Sequence, residues 1–183
     1  GSYLGPEFVT EGHNLILSGR SGRGKTHLAI AIAYRAIQNG YEAFFVTAAA
    51  LVDDLSRATR FGRFPETLHR YTQVHVLVID EVAYLAAGTR HADLLFELVS
   101  RRYQQKAIVL TTTKPFQEWN EVFPSTGCLV SLIDRLIHKS ELVGIDADSY
   151  RRKEAEERAA ARAGERSRKR GKAASAPAAK GRR

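Results

Sequence analysis

Residues 19–26 limit what this chain can fold into more than any other part of it. They read Gly19-Arg20-Ser21-Gly22-Arg23-Gly24-Lys25-Thr26, the pattern G-x-x-x-x-G-K-S/T. Glycines at these positions let the backbone wrap with its N–H groups turned inward on an anion. Lys25 is long enough to reach β- and γ-phosphates, and the Thr26 hydroxyl is placed to ligate Mg²⁺. A helix that begins here adds the positive end of its dipole. The pattern therefore demands a strand before it and a helix after it, and both are legible. Asn14–Ser18 is a short apolar strand. His27–Asn39 is apolar at Leu28, Ile30, Ala31, Ile32, Ala33, Ala36 and Ile37, with Gly40 as its C-terminal cap. The residues expected to contact ATP are the eight of the loop together with His27. The competing reading is a glycine-rich strand-to-helix turn that binds nothing.

Strands and helices continue to alternate, which predicts an α/β fold: a five-stranded parallel sheet flanked by helices on both faces. The second strand is Glu42–Val46, and Thr47 caps a helix running to Ala58. Residues 59–73 read as basic and irregular, punctuated by Gly62 and Pro65. Val74–Ile79 is a buried strand ending in Asp80-Glu81. An amphipathic helix covers 90–104 with Leu94, Leu95, Leu98 and Val99 facing in. The strand Ala107–Thr112 is closed by Thr113. A short helix starts at Pro115 and contains Trp119, Leu129–His138 is helical, and Leu142–Ile145 is the last strand.

Ligands in open α/β sheets bind at the C-terminal ends of the strands. Asp80 is there assigned to the Mg²⁺ shell and Glu81 to orienting and polarising a water for attack on the γ-phosphate. Two acids in succession after an apolar strand suit an NTP hydrolase, and solvated acids ending a strand are the alternative. Thr113 closes the neighbouring strand and is the polar group expected to touch the γ-phosphate or the water; ordinary β-branched strand composition explains it equally well. Arg135, beside Asp134, either reaches a neighbouring subunit's nucleotide or belongs to a surface charge cluster. Arg57, Arg60, Arg63, His69 and Arg70, with Phe61 and Phe64 interleaved, are spaced to track a nucleic-acid backbone or to form an exposed polar loop.

Charge is unevenly spread. Of 28 Lys/Arg and 20 Asp/Glu, residues 151–183 hold 13 and 4, so the basic character belongs to the C-terminal end rather than the globular body. The expected organisation is a cloning remnant and linker over 1–11, an ATPase domain over 12–148, a charged helix over 149–163 and a basic disordered tail over 164–183. The tail favours nucleic acid by counterion release, or simply solubilises the chain. Cys128 is the single cysteine, so no disulfide framework exists; it reads as a small apolar filler. No apolar run is long enough to span a bilayer, and no signal pattern is present, which fits a cytoplasmic protein.

Several segments occur in an order that resembles a known family: Thr-His-Leu-Ala-Ile-Ala (26–31), Phe-Val-Thr-Ala-Ala-x-Leu-Val (45–52), Leu-Val-Ile-Asp-Glu-Val-x-Tyr-Leu (77–85), Pro-Phe-x-Glu-Trp (115–119), Leu-Ile-Asp-Arg-Leu-Ile-His (132–138) and Asp-Ser-Tyr-Arg (148–151). Together with the phosphate loop they look like the IstB-like transposition helper ATPases, relatives of the DnaC-type bacterial helicase loaders. The resemblance runs from about residue 12 to 160. It implies a bacterial AAA+ ATPase that uses ATP and Mg²⁺, assembles as a ring or spiral on duplex DNA with ATP at subunit junctions, and regulates a partner transposase. It also implies Lys25 and Thr26 as phosphate-loop residues, Asp80 and Glu81 as the acidic pair, Arg135 as the trans-acting arginine, and a DNA-facing helical insertion over part of 51–70.

The chain departs from the family pattern in three ways. Thr113 stands where the family usually has Asn, which predicts reduced hydrolysis. The family's N-terminal helical domain is not matched, as expected of a truncated chain. No convincing helical lid is legible in the sequence after the last strand, and Arg151 is a weak candidate for a second sensor. A replicative helicase loader and a small-molecule P-loop kinase are the alternative functions.

Overall fold

The computed structural model describes residues 6–84, 89–123 and 127–145. The expected C-terminal helix, the basic tail and Arg151 lie outside the described residues. In chain order the elements are α1 (Pro6–Thr10), β1 (Asn14–Ser18), α2 (Lys25–Gln38), β2 (Ala43–Thr47), α3 (Ala48–Arg60), α4 (Phe64–Gln73), β3 (Val76–Asp80), α5 (Thr89–Arg102), β4 (Ala107–Thr112), α6 (Trp119–Val122), α7 (Leu129–Ile137) and β5 (Ser140–Gly144).

The five strands form one parallel sheet in the order β2-β3-β4-β1-β5. β3 and β4 are buried along their whole length, which is why their sequences are unbroken apolar runs rather than alternating ones. One sheet face is covered by α3, α4, α5 and α7, with a core built on Leu51, Leu55, Leu68, Leu98 and Leu132. The other face is covered by α1 and α2 through Phe8, Ala29, Ile32, Ala33 and Ala36. Residues 6–10, expected to be linker, are thus a helix that buries Phe8 and Val9. On α2 the small residues face the sheet, while Leu28, Ile30 and Ile37 are exposed.

The segment 59–73 is corrected by the structure. Only Phe61 to Arg63 break the helical path, and Phe64–Gln73 is helix α4. Pro65, read as a breaker, occupies the first turn, where proline lacks only an N–H that would be unpaired anyway. Leu68 and Tyr71 are buried and fix the inner face of α4. Thr47 caps α3 as expected, accepting the Ala50 N–H at 3.2 Å.

Arg102, the last residue of α5, is fully buried and ties α4 to the sheet. Its guanidinium donates to the carbonyls of Tyr71, Thr72, Val74, His75 and Ala107. Burial pushes its pKa down to about 9, so it is still cationic at neutral pH. Chain carbonyls at the end of α4 and the starts of β3 and β4 therefore find their donors in one side chain.

After β4 the chain is anchored by aromatics. Trp119 is buried between Phe116 (centroids 4.7 Å apart) and Phe123 (5.7 Å), and its Nε1–H donates to the Lys114 carbonyl at 3.3 Å. This anchor fixes the Lys114 carbonyl, one residue after Thr113.

Candidate nucleotide-binding site

β4 lies between β1 and β3. At about 4.8 Å per strand spacing, the loop after β1 and the acids after β3 are roughly 10 Å apart. The first turn of α2 spans that gap. The result is a cavity of about 360 Å³ lined by Ser21, Gly22, Gly24, Lys25, Thr26, His27, Glu81 and Thr113. Most of the expected ATP contacts are thus brought together with one acid and the Thr113 hydroxyl. Gly19, Arg20 and Arg23 belong to the loop without lining the cavity.

The loop geometry follows from its residues. Gly24 has φ 88° and stands at the N-terminus of α2, so the helix begins at Lys25, two residues before the expected start. Gly19 has φ 155°, and a Cβ there would sit 2.4 Å from the Ile145 carbonyl oxygen. Gly19 N–H donates to the Thr112 carbonyl at 3.2 Å, and Ile145 N–H donates to the Ser18 carbonyl at 2.7 Å. The loop is therefore pinned to the ends of β4 and β5. Lys25 is buried, and its Nζ donates to the Gly19 and Arg20 carbonyls at 2.7 and 2.9 Å, across the mouth of the loop.

Thr26 Oγ1 lies 3.1 Å from both carboxylate oxygens of Asp80, which is buried. A hydroxyl and one buried carboxylate are hard oxygen donors of the kind Mg²⁺ takes when phosphates and waters complete its shell. Among the described residues no group of three or more His, Cys, Asp or Glu is gathered for a metal.

Glu81 is exposed and has φ 61°, a left-handed conformation that a non-glycine residue adopts only when its surroundings hold it there. One of those surroundings is Thr111, which the sequence reading passed over. It is fully buried, accepts the Glu81 N–H at 2.9 Å and donates to Asp80 Oδ1 at 2.5 Å. No local motif marks it. Its role comes from strand register, which places β4 against β3 with Leu110 opposite Ile79 and so sets Thr111 beside Asp80. Thr112, between the two, hydrogen-bonds Lys114 and shapes the turn that presents Thr113.

Arg135 does not join this chain's own cavity. It lies on α7, where its carbonyl accepts from Asn14 Nδ2 at the start of β1, whereas the loop leaves the other end of β1. Its guanidinium stacks 4.4 Å from the Phe96 ring centroid, and Nη1 is buried with no hydrogen-bond partner among the described residues. Cys128 is no plain apolar filler: its thiol contacts Asp93 Oδ1 at 3.1 Å, and burial with that carboxylate pushes its pKa up to about 11.

The basic segment forms a helical hairpin of α3 and α4. Its four candidate arginines are not equivalent. Arg57 pairs with Asp53 and Arg70 with Asp54, both pairs on the shaft of the hairpin. Tyr71 also donates to Asp54, at 2.8 Å. Arg60 stands exposed at the tip, and Arg63 there lies over the ring of Phe61, which is 69% exposed. The positive charge is thus concentrated at the tip.

A parallel sheet in this strand order, with a phosphate loop after β1 and an acidic pair after β3, defines an AAA+-type P-loop domain. The family model for the IstB-like ATP binding protein matches residues 2–158, and the chain belongs to that family. It is 38% identical to the ATP-binding protein of insertion sequence IS5376 from Geobacillus stearothermophilus, over 80% of this chain and 59% of that protein. It is 37% identical to the ATP-binding protein of insertion sequence IS21 from Pseudomonas aeruginosa, over 82% of this chain and 57% of that protein. The chain thus spans less than two thirds of these relatives.

Among solved structures the fold is similar to the replication initiator DnaA bound to AMPPCP and single-stranded DNA (TM-score 0.66, 22% identity, 80% of this chain and 45% of that one). It is also similar to the DnaC helicase loader (TM-score 0.61, 22% identity, 75% of this chain and 81% of that one). Among the described residues no helix is long and apolar enough to cross a membrane.

Proposed function

We propose that this chain is the ATPase domain of a helper protein for DNA transposition, which assembles on duplex DNA with ATP between subunits and regulates a partner transposase. The observation that carries the reading is one cavity holding Lys25, Thr26, Glu81 and Thr113, with Asp80 bonded to Thr26 beside it, in a member of a family whose relatives are insertion-sequence ATP-binding proteins.

In the proposed reaction Lys25 exchanges its carbonyl partners for β- and γ-phosphate oxygens, and the loop N–H groups and the α2 dipole hold the rest of the anion. Thr26 and Asp80 would hold Mg²⁺, which neutralises phosphate charge when bound. Glu81 takes the proton of the attacking water, and Thr113 donates a hydrogen bond to that water or to the γ-phosphate. Arg135 leaves its stacked position on Phe96 and acts on the nucleotide of an adjacent subunit, since it is remote from its own. The hairpin tip with Arg60 and Arg63 faces DNA, and Arg57 and Arg70 contribute less because Asp53 and Asp54 already pair with them.

A helicase loader would share the fold, but sequence identity to the insertion-sequence proteins (38% and 37%) exceeds that to DnaC (22%) and supports the transposition reading. The test is phosphate release from ATP with and without duplex DNA, across protein concentration, against Glu81→Gln. Release that rises with both and drops at least ~100-fold in the variant is expected. Release indifferent to DNA and concentration refutes assembly on DNA, and transfer to a metabolite rather than water points to a kinase.

A further inference from the structure

Thr111 is the buried hydroxyl around which the acidic pair is arranged. A hydroxyl has one proton to give and lone pairs with which to accept. Thr111 Oγ1 spends its proton on Asp80 Oδ1 and accepts the N–H of the next residue, Glu81. The same Asp80 oxygen also faces Thr26 Oγ1 at 3.1 Å. Strand β4 thus holds both acids through one atom: the carboxylate of one and the backbone of the other. The left-handed backbone of Glu81, φ 61°, begins at the very N–H that Thr111 accepts.

We propose that Thr111 is a positioning residue for the reaction, setting the rotamer of Asp80 for its cation and the backbone from which Glu81 reaches the water. This rests on the hydrolytic reading above, yet it assigns a role to a buried residue that does not line the cavity. The Asp80 carboxylate sits in a fully buried strand beside Leu110 and Ile79, where few donors exist to replace the hydroxyl. Without it, Asp80 is free to turn toward Thr26 alone, and the Glu81 N–H loses its acceptor. Groups that orient ligands in this way typically change metal affinity or activity by about 10–100-fold when removed.

The test compares Thr111→Val, which keeps the shape and drops the hydroxyl, with Thr111→Ser, which keeps the hydroxyl and drops the methyl. Two quantities are measured on each: the rate of phosphate release, and the ratio of AMPPCP dissociation constants in EDTA and in Mg²⁺ by calorimetry. The valine variant is expected to lose about 10–100-fold in kcat and most of the Mg²⁺-dependent gain in affinity, while binding in EDTA stays within about threefold of the wild type; serine is expected to recover both.

Valine behaving as wild type in both quantities overturns the proposal. So does serine falling as far as valine, because packing and not the hydroxyl then matters. If the wild type releases no phosphate, the hydrolytic reading fails and the Mg²⁺ ratio alone decides Thr111. A wild-type ratio near one overturns the proposal as well, since Asp80 then holds no cation for Thr111 to orient.

Discussion

Two glycines of the phosphate loop make a controlled comparison. Gly19→Ala places a Cβ 2.4 Å from the Ile145 carbonyl oxygen, a separation that real Cβ atoms do not show below 3.0 Å. The ends of β1 and β5 must therefore part by at least about 0.6 Å, against the Ile145 N–H to Ser18 carbonyl bond of 2.7 Å. Forcing atoms into a packed backbone typically costs about 1–3 kcal/mol, and a non-glycine residue at such a φ adds about 1–3. A total near 3 kcal/mol is expected, which for a domain of this size lowers Tm by roughly 6–12 °C. Gly24→Ala meets nothing within 4 Å and carries only the strain of φ 88°. Its cost is expected near 1–2 kcal/mol.

Urea unfolding followed by Trp119 fluorescence measures both, since Trp119 is the single tryptophan and is buried. Gly24→Ala as destabilising as Gly19→Ala, or Gly19→Ala within about 1 kcal/mol of the wild type, would refute the argument that close backbone approach distinguishes the two positions.

Two other outcomes follow from the charges. In duplex-DNA binding, Arg60→Ala and Arg63→Ala are each expected to reduce the slope of log affinity against log salt by about 1, and Arg57→Ala and Arg70→Ala by less, because Asp53 and Asp54 already neutralise them; equal losses at all four positions would show that these pairs open on binding. The Cys128 thiol, raised by burial and then by Asp93 to about 11, is expected to alkylate slowly at pH 8, with a midpoint near 11 that Asp93→Asn lowers. Because the folded form keeps its proton where the unfolded thiol loses it, this group's contribution to stability is complete below pH 9 and lost as pH rises through about 11; alkylation with an ordinary thiol midpoint would show that burial and the Asp93 contact together do not hold the proton in solution.

What the sequence determined by itself was everything that depends on neighbours along the chain. A glycine-rich loop between an apolar strand and a periodic helix, and an acid pair ending a buried strand, are local patterns, so the phosphate loop, Asp80-Glu81, the Thr47 cap and the parallel α/β architecture were legible before any coordinates. Where a residue's meaning comes from a distant partner, the sequence was silent or misleading. Pro65 looked like a breaker until it stood in the first turn of a helix whose Leu68 and Tyr71 are buried. Arg57 and Arg70 looked as free as Arg60 until α3 placed Asp53 and Asp54 against them. Arg102 carries no local signal of its role, because the five carbonyls it serves are gathered around it only by folding. Thr111 was only part of the strand Ala107–Thr112 until register put it beside Asp80. Periodicity and loop chemistry act over a few residues of backbone, whereas pairing and the satisfaction of buried polar groups are decided only when strands and helices far apart in sequence are packed together.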